Sequence, residues 1–161
     1  MKTMPSLLAP AGNQRAPQTA LRFGTVAVYC GAQQYGMRAQ ANNFDEKRLE
    51  EAVRLAHAAG AQVNLTLNIF AFDGDLDGMV RTAQRARDIG VDAAIVSDLG
   101  AIARIAREVP GLDVHVSPPA STTHSESARV YNALGAKRVV LARALTVEQL
   151  AQMCAAVGDG I

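Results

Sequence analysis

Short runs of consecutive apolar residues alternate along the chain with longer stretches in which apolar positions recur every three or four residues. The runs are Leu7 to Ala9, Val26 to Cys30, Val63 to Asn68, Ala93 to Val96, Val114 to Val116 and Val139 to Ala142. Each is too short for a helix and is followed by polar residues or glycine, which is the pattern of a strand buried on both faces. Of the stretches between them, the clearest carries Leu49, Ala52, Val53 and Ala56 at i, i+3, i+4 and i+7, the apolar stripe of an amphipathic helix. Asp45 is its predicted N-cap, and Phe44 and Leu49 have the spacing of a hydrophobic staple. Two later helices open on Thr123-x-x-Glu126 and Thr146-x-x-Gln149, both with the spacing of a capping box, and Leu145 and Leu150 repeat the staple. Gly24, Gly60, Gly90 and Gly135 stand where helices end and the next strand begins.

Such alternation admits a doubly wound open sheet or a closed (β/α) barrel. A complete barrel takes eight strands and about 250 residues. The six units here predict an α/β fold, a partial TIM-like (β/α) barrel with parallel strands. Residues 1–161 form a single barrel-like domain, and the turn-forming tail Val157-Gly-Asp-Gly-Ile161 suggests a chain cut short before strand seven. An unclosed barrel leaves two unpaired edges, so an oligomer, or a partner subunit completing the barrel, is expected.

With 161 residues, 49% of them hydrophobic, and a formal net charge of +1, the chain has the composition of a globular domain and no overall basic footprint for non-specific nucleic-acid binding. Only 4% are aromatic, so burial falls to Val, Leu, Ile and Ala. Cys30 and Cys154 form no C-x-x-C pair, which argues against a disulfide scaffold or zinc site and fits a reducing compartment. The first residues lack the apolar core of a secretory signal, and no run approaches the ~18 apolar residues of a membrane span. A cytoplasmic protein without membrane insertion is expected.

Barrel chemistry is built where strands empty into loops. That face collects Ala11-Gly12-Asn13, Tyr29-Cys30-Gly31, Asn68, Ser97-Asp98, Ser117 and, at the end of Leu134 to Arg143, the guanidinium of Arg143. Arg143 is an ion-pair partner or a site residue. The long loop Gly31 to Asn43, with Arg38, Asn42 and Asn43, either covers a ligand or is an ordered Ω-like loop capped by its own asparagines. Gly12 and Gly31 allow backbone approach to a phosphate or merely turn the chain, and no G-x-G-x-x-G or Walker sequence is present. Asp98 is a base or cation ligand, or the cap of the next helix. His115 reads as a structural histidine and Cys30 as a small hydrophobe. His57 and His124 have no cysteine or carboxylate at ligand spacing. Neither H-E-x-x-H nor G-x-S-x-G occurs, so no standard zinc-protease or hydrolase nucleophile is visible.

On Leu7-Leu-Ala-Pro-Ala-Gly-Asn13, Ala27-Val-Tyr-Cys-Gly31, Met37-Arg-Ala39 with Asn43-Phe44, Thr66-Leu-Asn68, Ile95-Val-Ser-Asp98 and Leu134 to Arg143, the chain resembles the N-terminal part of the peptidase U32 family, the collagenase-like peptidases. The resemblance covers nearly its whole length. It implies a barrel-like N-terminal domain and, for the full-length form, oxygen-independent, prephenate-dependent hydroxylation of tRNA, rRNA or a ubiquinone precursor. It also implies, as an alternative, a collagenase-like protease; the shortened chain admits a further alternative, a non-catalytic scaffold or subunit. An iron-sulfur cluster is implied on cysteines further along in the family; Cys30 and Cys154 do not match them, so no cofactor or metal is assigned to this segment. Asn13, Tyr29, Arg38, Asn68, Ser97, Asp98, Ser117 and Arg143 are the expected substrate-binding residues, with Arg38, Arg143 and Asn68 orienting an anionic donor or substrate. No catalytic residue is assigned. Two departures bear on the site: Ser117-Pro118-Pro119-Ala120 stands where the family reads Ser-Thr-Gln-Ala, and Ser6 where it reads Glu.

Overall fold

The computed structural model describes residues 7–11, 16–37 and 44–158. Its strands are β1 (Leu8–Pro10), β2 (Ala27–Gly31), β3 (Gln62–Leu67), β4 (Ala93–Val96), β5 (Asp113–Val116) and β6 (Arg138–Val139). The helices that alternate with them are α1 (Ala16–Arg22), α2 (Glu46–Ala58), α3 (Asp73–Ile89), α4 (Leu99–Glu108), α5 (Ser125–Ala133) and α6 (Val147–Val157), and a 3-10 turn at Pro118–Ala120 follows β5. The strands lie side by side in chain order, each parallel to the next. A doubly wound sheet reverses its order at a switch point, and this one does not. The architecture is therefore a half-barrel of a TIM-like fold.

Alternation along each strand decides what lies on either side of the sheet. Val28, Cys30, Val63, Leu65, Leu67, Ala94, Val96, Val114 and Val116 face the helices and join one apolar core with Leu49, Ala52, Val53 and Ala56 of α2, Met79, Val80, Ala83 and Ala86 of α3, and Ile102 and Ile105 of α4. Each fully buried Leu, Ile or Val contributes about 1.5–3 kcal/mol. The residues between them, including Tyr29, Asn64, Thr66, Ala93, Ile95 and His115, face the barrel interior.

Local signals explain most element boundaries. The Asp45 side chain accepts from the Arg48 amide at 2.9 Å to open α2, and Phe44 and Leu49 are both buried in the core. Thr146 and Gln149 form the capping box of α6. Gly24, Gly60, Gly90 and Gly135 all take left-handed φ angles, the conformation a glycine adopts at no steric cost where a helix closes. Two expectations require correction. The N-cap of α5 is His124, whose Nδ1 accepts from the Ser127 amide at 3.3 Å, so Thr123 and Glu126 make no capping box; Glu126 pairs instead with Arg129. Strand β6 ends at Val139, because after Val140 donates to the Val116 carbonyl at 2.9 Å, Ala142 donates to Thr122 at 3.0 Å and the chain leaves the sheet. His57 pairs with a carboxylate far off in sequence, Asp92 at 3.0 Å, which also accepts from the Val63 amide at 2.7 Å, and among the described residues the pair gathers no metal-ligand group. Among the described residues no helix is long and apolar enough to cross a membrane.

Candidate functional site at the strand exits

Asn68, Ser97 and Ser117 are the first residues past β3, β4 and β5, and parallel register brings them together. Ser97 Oγ donates to the Asn68 carbonyl at 3.3 Å, and Asn68 Nδ2 donates to Ser117 Oγ at 3.3 Å. The second bond joins alternate strands across β4, the contact that layers side chains inside a barrel. The orientation of the Asn68 amide is fixed by chemistry: the Met37 backbone N–H can only donate, and it lies 3.1 Å from Oδ1, so the nitrogen must turn to Ser117. After these bonds are counted, the second N–H of Asn68 and the hydroxyl hydrogen of Ser117, a residue itself buried, have no acceptor among the described residues. A site that offers donors suits a ligand that offers acceptors, such as a carboxylate, a phosphate or a carbonyl.

The other expected residues stand apart from this trio to different degrees. Tyr29 is half-buried on the interior face of β2, in register with Pro10 and Asn64, and its carbonyl accepts from the Ala11 amide at 2.8 Å. Asp98 caps α4, accepting from the Ala101 amide at 2.8 Å through Oδ1. Arg143 lies in an exposed turn beyond β6, and among the described residues no ion pair holds it. Asn13 and Arg38, with Gly12, Asn42 and Asn43, lie outside the described residues. Pro118 and Pro119 occupy the first two positions of the 3-10 turn. An N–H there has no partner within the turn, so the loss of two donors does not disturb the backbone.

The interior beneath the rim is more polar than the Val, Ile and Leu filling usual for a TIM barrel. Asn64 is fully buried, and neither atom of its side-chain amide has a hydrogen-bond partner among the described residues. Sequence reasoning passed over it as one more residue of a strand run; the polar residue alternating with Val63 and Leu65 was the available signal. Thr66 donates to the Cys30 carbonyl at 3.2 Å. His115 faces the same interior, opposite to its valine neighbours as alternation requires. Burial, followed by the neighbouring Arg138 guanidinium, lowers its pKa to about 4 against the opposing pull of Asp113, so the ring is neutral at pH 7.

Burial also pushes the Cys30 thiol up to about 12, which makes it a core residue rather than a nucleophile. Cys154 is exposed on α6. An iron-sulfur cluster needs several convergent thiolates. One sealed, protonated thiol that points its hydrogen at the Asn64 carbonyl, 3.8 Å away, does not fit that role. Among the described residues no group of three or more His, Cys, Asp or Glu gathers as a metal site.

A half-barrel of parallel strands with a donor-bearing polar rim defines the general class. The family follows from comparison: the model for peptidase family U32 matches residues 12–160, and the chain belongs to that family. An uncharacterized protease of Methanocaldococcus jannaschii is 39% identical over 95% of this chain and 37% of its own length. The tRNA hydroxylation protein P1 of Bacillus subtilis is 35% identical over 92% of this chain and 35% of its own. A 23S rRNA 5-hydroxycytidine synthase of Escherichia coli is 33% identical over 89% of this chain and 21% of its own. The chain thus spans about a third of the first two relatives and a fifth of the third. A solved U32 peptidase superposes with a TM-score of 0.75 at 18% identity, covering 100% of this chain and 68% of that one, and establishes the shared fold.

Proposed function

We propose that this chain is the N-terminal part of a protein that supports hydroxylation of an RNA base, with the strand-exit cluster contributing to the ligand site. The observation that carries the reading is the coincidence of two facts. Relatives named for tRNA and rRNA hydroxylation align over about nine-tenths of the chain, and the aligned region contains the donor-bearing trio of Asn68, Ser97 and Ser117. Its spare N–H and O–H groups suit an acceptor-rich co-substrate, for which a dicarboxylate of the prephenate type is our candidate, in chemistry that does not use molecular oxygen. A ubiquinone precursor is a second candidate substrate. Any iron-sulfur cluster would be held by residues outside this chain, because those within it do not fit one. A partner subunit or a further segment completing the barrel, and a cytoplasmic setting, belong to the same proposal.

The peptidase reading is favoured by the naming of the archaeal relative. Against it, the hydroxyls of Ser97 and Ser117 are bonded to Asn68 and not to a histidine that could activate them. Mass spectrometry of tRNA and rRNA nucleosides, from a strain lacking the gene and from the same strain supplied with it, tests the proposal. Restoration of a hydroxylated pyrimidine is the expected result. Identical profiles, with cleavage of denatured collagen by the purified protein, would transfer the assignment to the peptidase reading.

A further inference from the structure

The loop that leaves β2 crosses the exit of β3 as a short strap. Ala32 bridges to Phe44, the Tyr35 carbonyl accepts from the Ile69 amide at 3.2 Å, and the Met37 amide bonds Asn68 Oδ1 at 3.1 Å. Tyr35 has φ +69°, a left-handed conformation that a residue with a bulky side chain adopts only when its surroundings hold it there. What holds it is α3. The Tyr35 hydroxyl and the ring carbon that bears it lie against Gly78, where even a Cβ would overlap them, and Gly78 is itself buried in the helix. The glycine is required by this close approach, since its own backbone is ordinary helix.

We infer that Tyr35 is a positioning residue: anchored on Gly78, it pins residues 35–37 over β3 and so holds the Asn68 amide with its nitrogen toward Ser117. If the strap were released, the Met37 amide would withdraw from Oδ1 and the Asn68 amide would be free to turn over. A turned amide presents an acceptor where the site now presents a donor, which reverses the kind of ligand group it welcomes. The strap therefore sets the polarity of the rim. In sequence, the next residue after Met37 is Arg38, the cation expected at the site. The inference rests on the strand-exit cluster being the ligand site, but its test reads geometry alone, so it stands or falls separately from the hydroxylation reading.

The test is amide hydrogen exchange followed by nitrogen-15 NMR on the chain and three variants. Gly78→Ala adds a methyl group that displaces the Tyr35 ring, Tyr35→Ala removes the ring, and Tyr35→Phe retains most of it. The first two are expected to speed exchange at the Met37 backbone amide and the Asn68 side-chain amide by about tenfold, the equivalent of one lost hydrogen bond. Protection at the Ile95 and Val116 amides in the sheet should be unchanged, and Tyr35→Phe should keep Met37 and Asn68 near their original rates. Unchanged exchange at Met37 and Asn68 in both disruptive variants would overturn the inference. So would a uniform loss of protection across the sheet or failure of both variants to fold, since Tyr35 would then be a core residue with no selective hold on Asn68.

Discussion

Single residues on the interior face differ in what they contribute, and two of them separate cleanly by experiment. Asn64 keeps a buried amide without a partner among the described residues, a condition that costs about 1–3 kcal/mol for a neutral polar group. Asn64→Val is closer in volume than a leucine would be and removes that cost, so it should match or exceed the original chain in urea stability; a clear loss would show that the amide is satisfied. His115 acts through pH. Its folded-state pKa is about 4 against an ordinary 6.5, so below 6.5 the unfolded chain takes up a proton that the folded one refuses. Stability is then full above pH 6.5 and falls as the pH is lowered toward about 4. Urea midpoints at pH 7 and 4.5 should fall further for the original chain than for His115→Gln, and equal falls would remove His115 as the cause. The position of His115 was legible from alternation within Val114-His115-Val116. The isolation of the Asn64 amide was not, because hydrogen bonding across a barrel interior depends on neighbours that come from other strands.

At the scale of elements, apolar runs located every strand, because a strand buried on both faces leaves a continuous apolar signature. Ala93–Val96 has the expected bounds. Strand β6 was read too long, since Leu141 and Ala142 are apolar for reasons other than sheet pairing, and what ends the strand is a bond from Ala142 to the distant Thr122. The start of α5 was misread because Thr122, Thr123 and His124 all carry side-chain acceptors, and tertiary placement chose the last. Glycine exits were the most legible feature, and they also differ in a way that only the structure shows. Gly135 has φ +100° and an added Cβ would sit 2.8 Å from the Cβ of Ala106 on α4, whereas Gly24, at φ +78°, has nothing within 4 Å. Gly135→Ala is expected to cost about 2–4 kcal/mol in urea unfolding, from backbone strain plus overlap, and Gly24→Ala about 1–2 kcal/mol from strain alone. Equal losses would show that α4 yields to the methyl without cost.

For the whole molecule, consecutive βα units in parallel register place successive strand ends on one rim, so residues 29 to 49 positions apart in sequence meet as Asn68, Ser97 and Ser117. That convergence was readable from the strand exits, and the family from the resemblance of the stretches Leu7 to Asn13, Ala27 to Gly31, Met37 to Ala39 with Asn43-Phe44, Thr66 to Asn68, Ile95 to Asp98 and Leu134 to Arg143. The strap formed by Tyr35, Gly36 and Met37 was not, because its anchor is a missing side chain at Gly78, and a glycine within a helical pattern does not reveal what lies against it. The proposal that everything rests on is that this rim is the ligand site of an RNA-hydroxylating protein. It is tested most directly by supplying a strain that lacks the gene with the Asn68→Leu allele and measuring the hydroxylated nucleoside by mass spectrometry, with protein level as the control. Loss of the Asn68 donor predicts a fall of about ten- to a hundredfold relative to the unmutated gene at equal protein level. Full restoration of the nucleoside by Asn68→Leu would contradict the account.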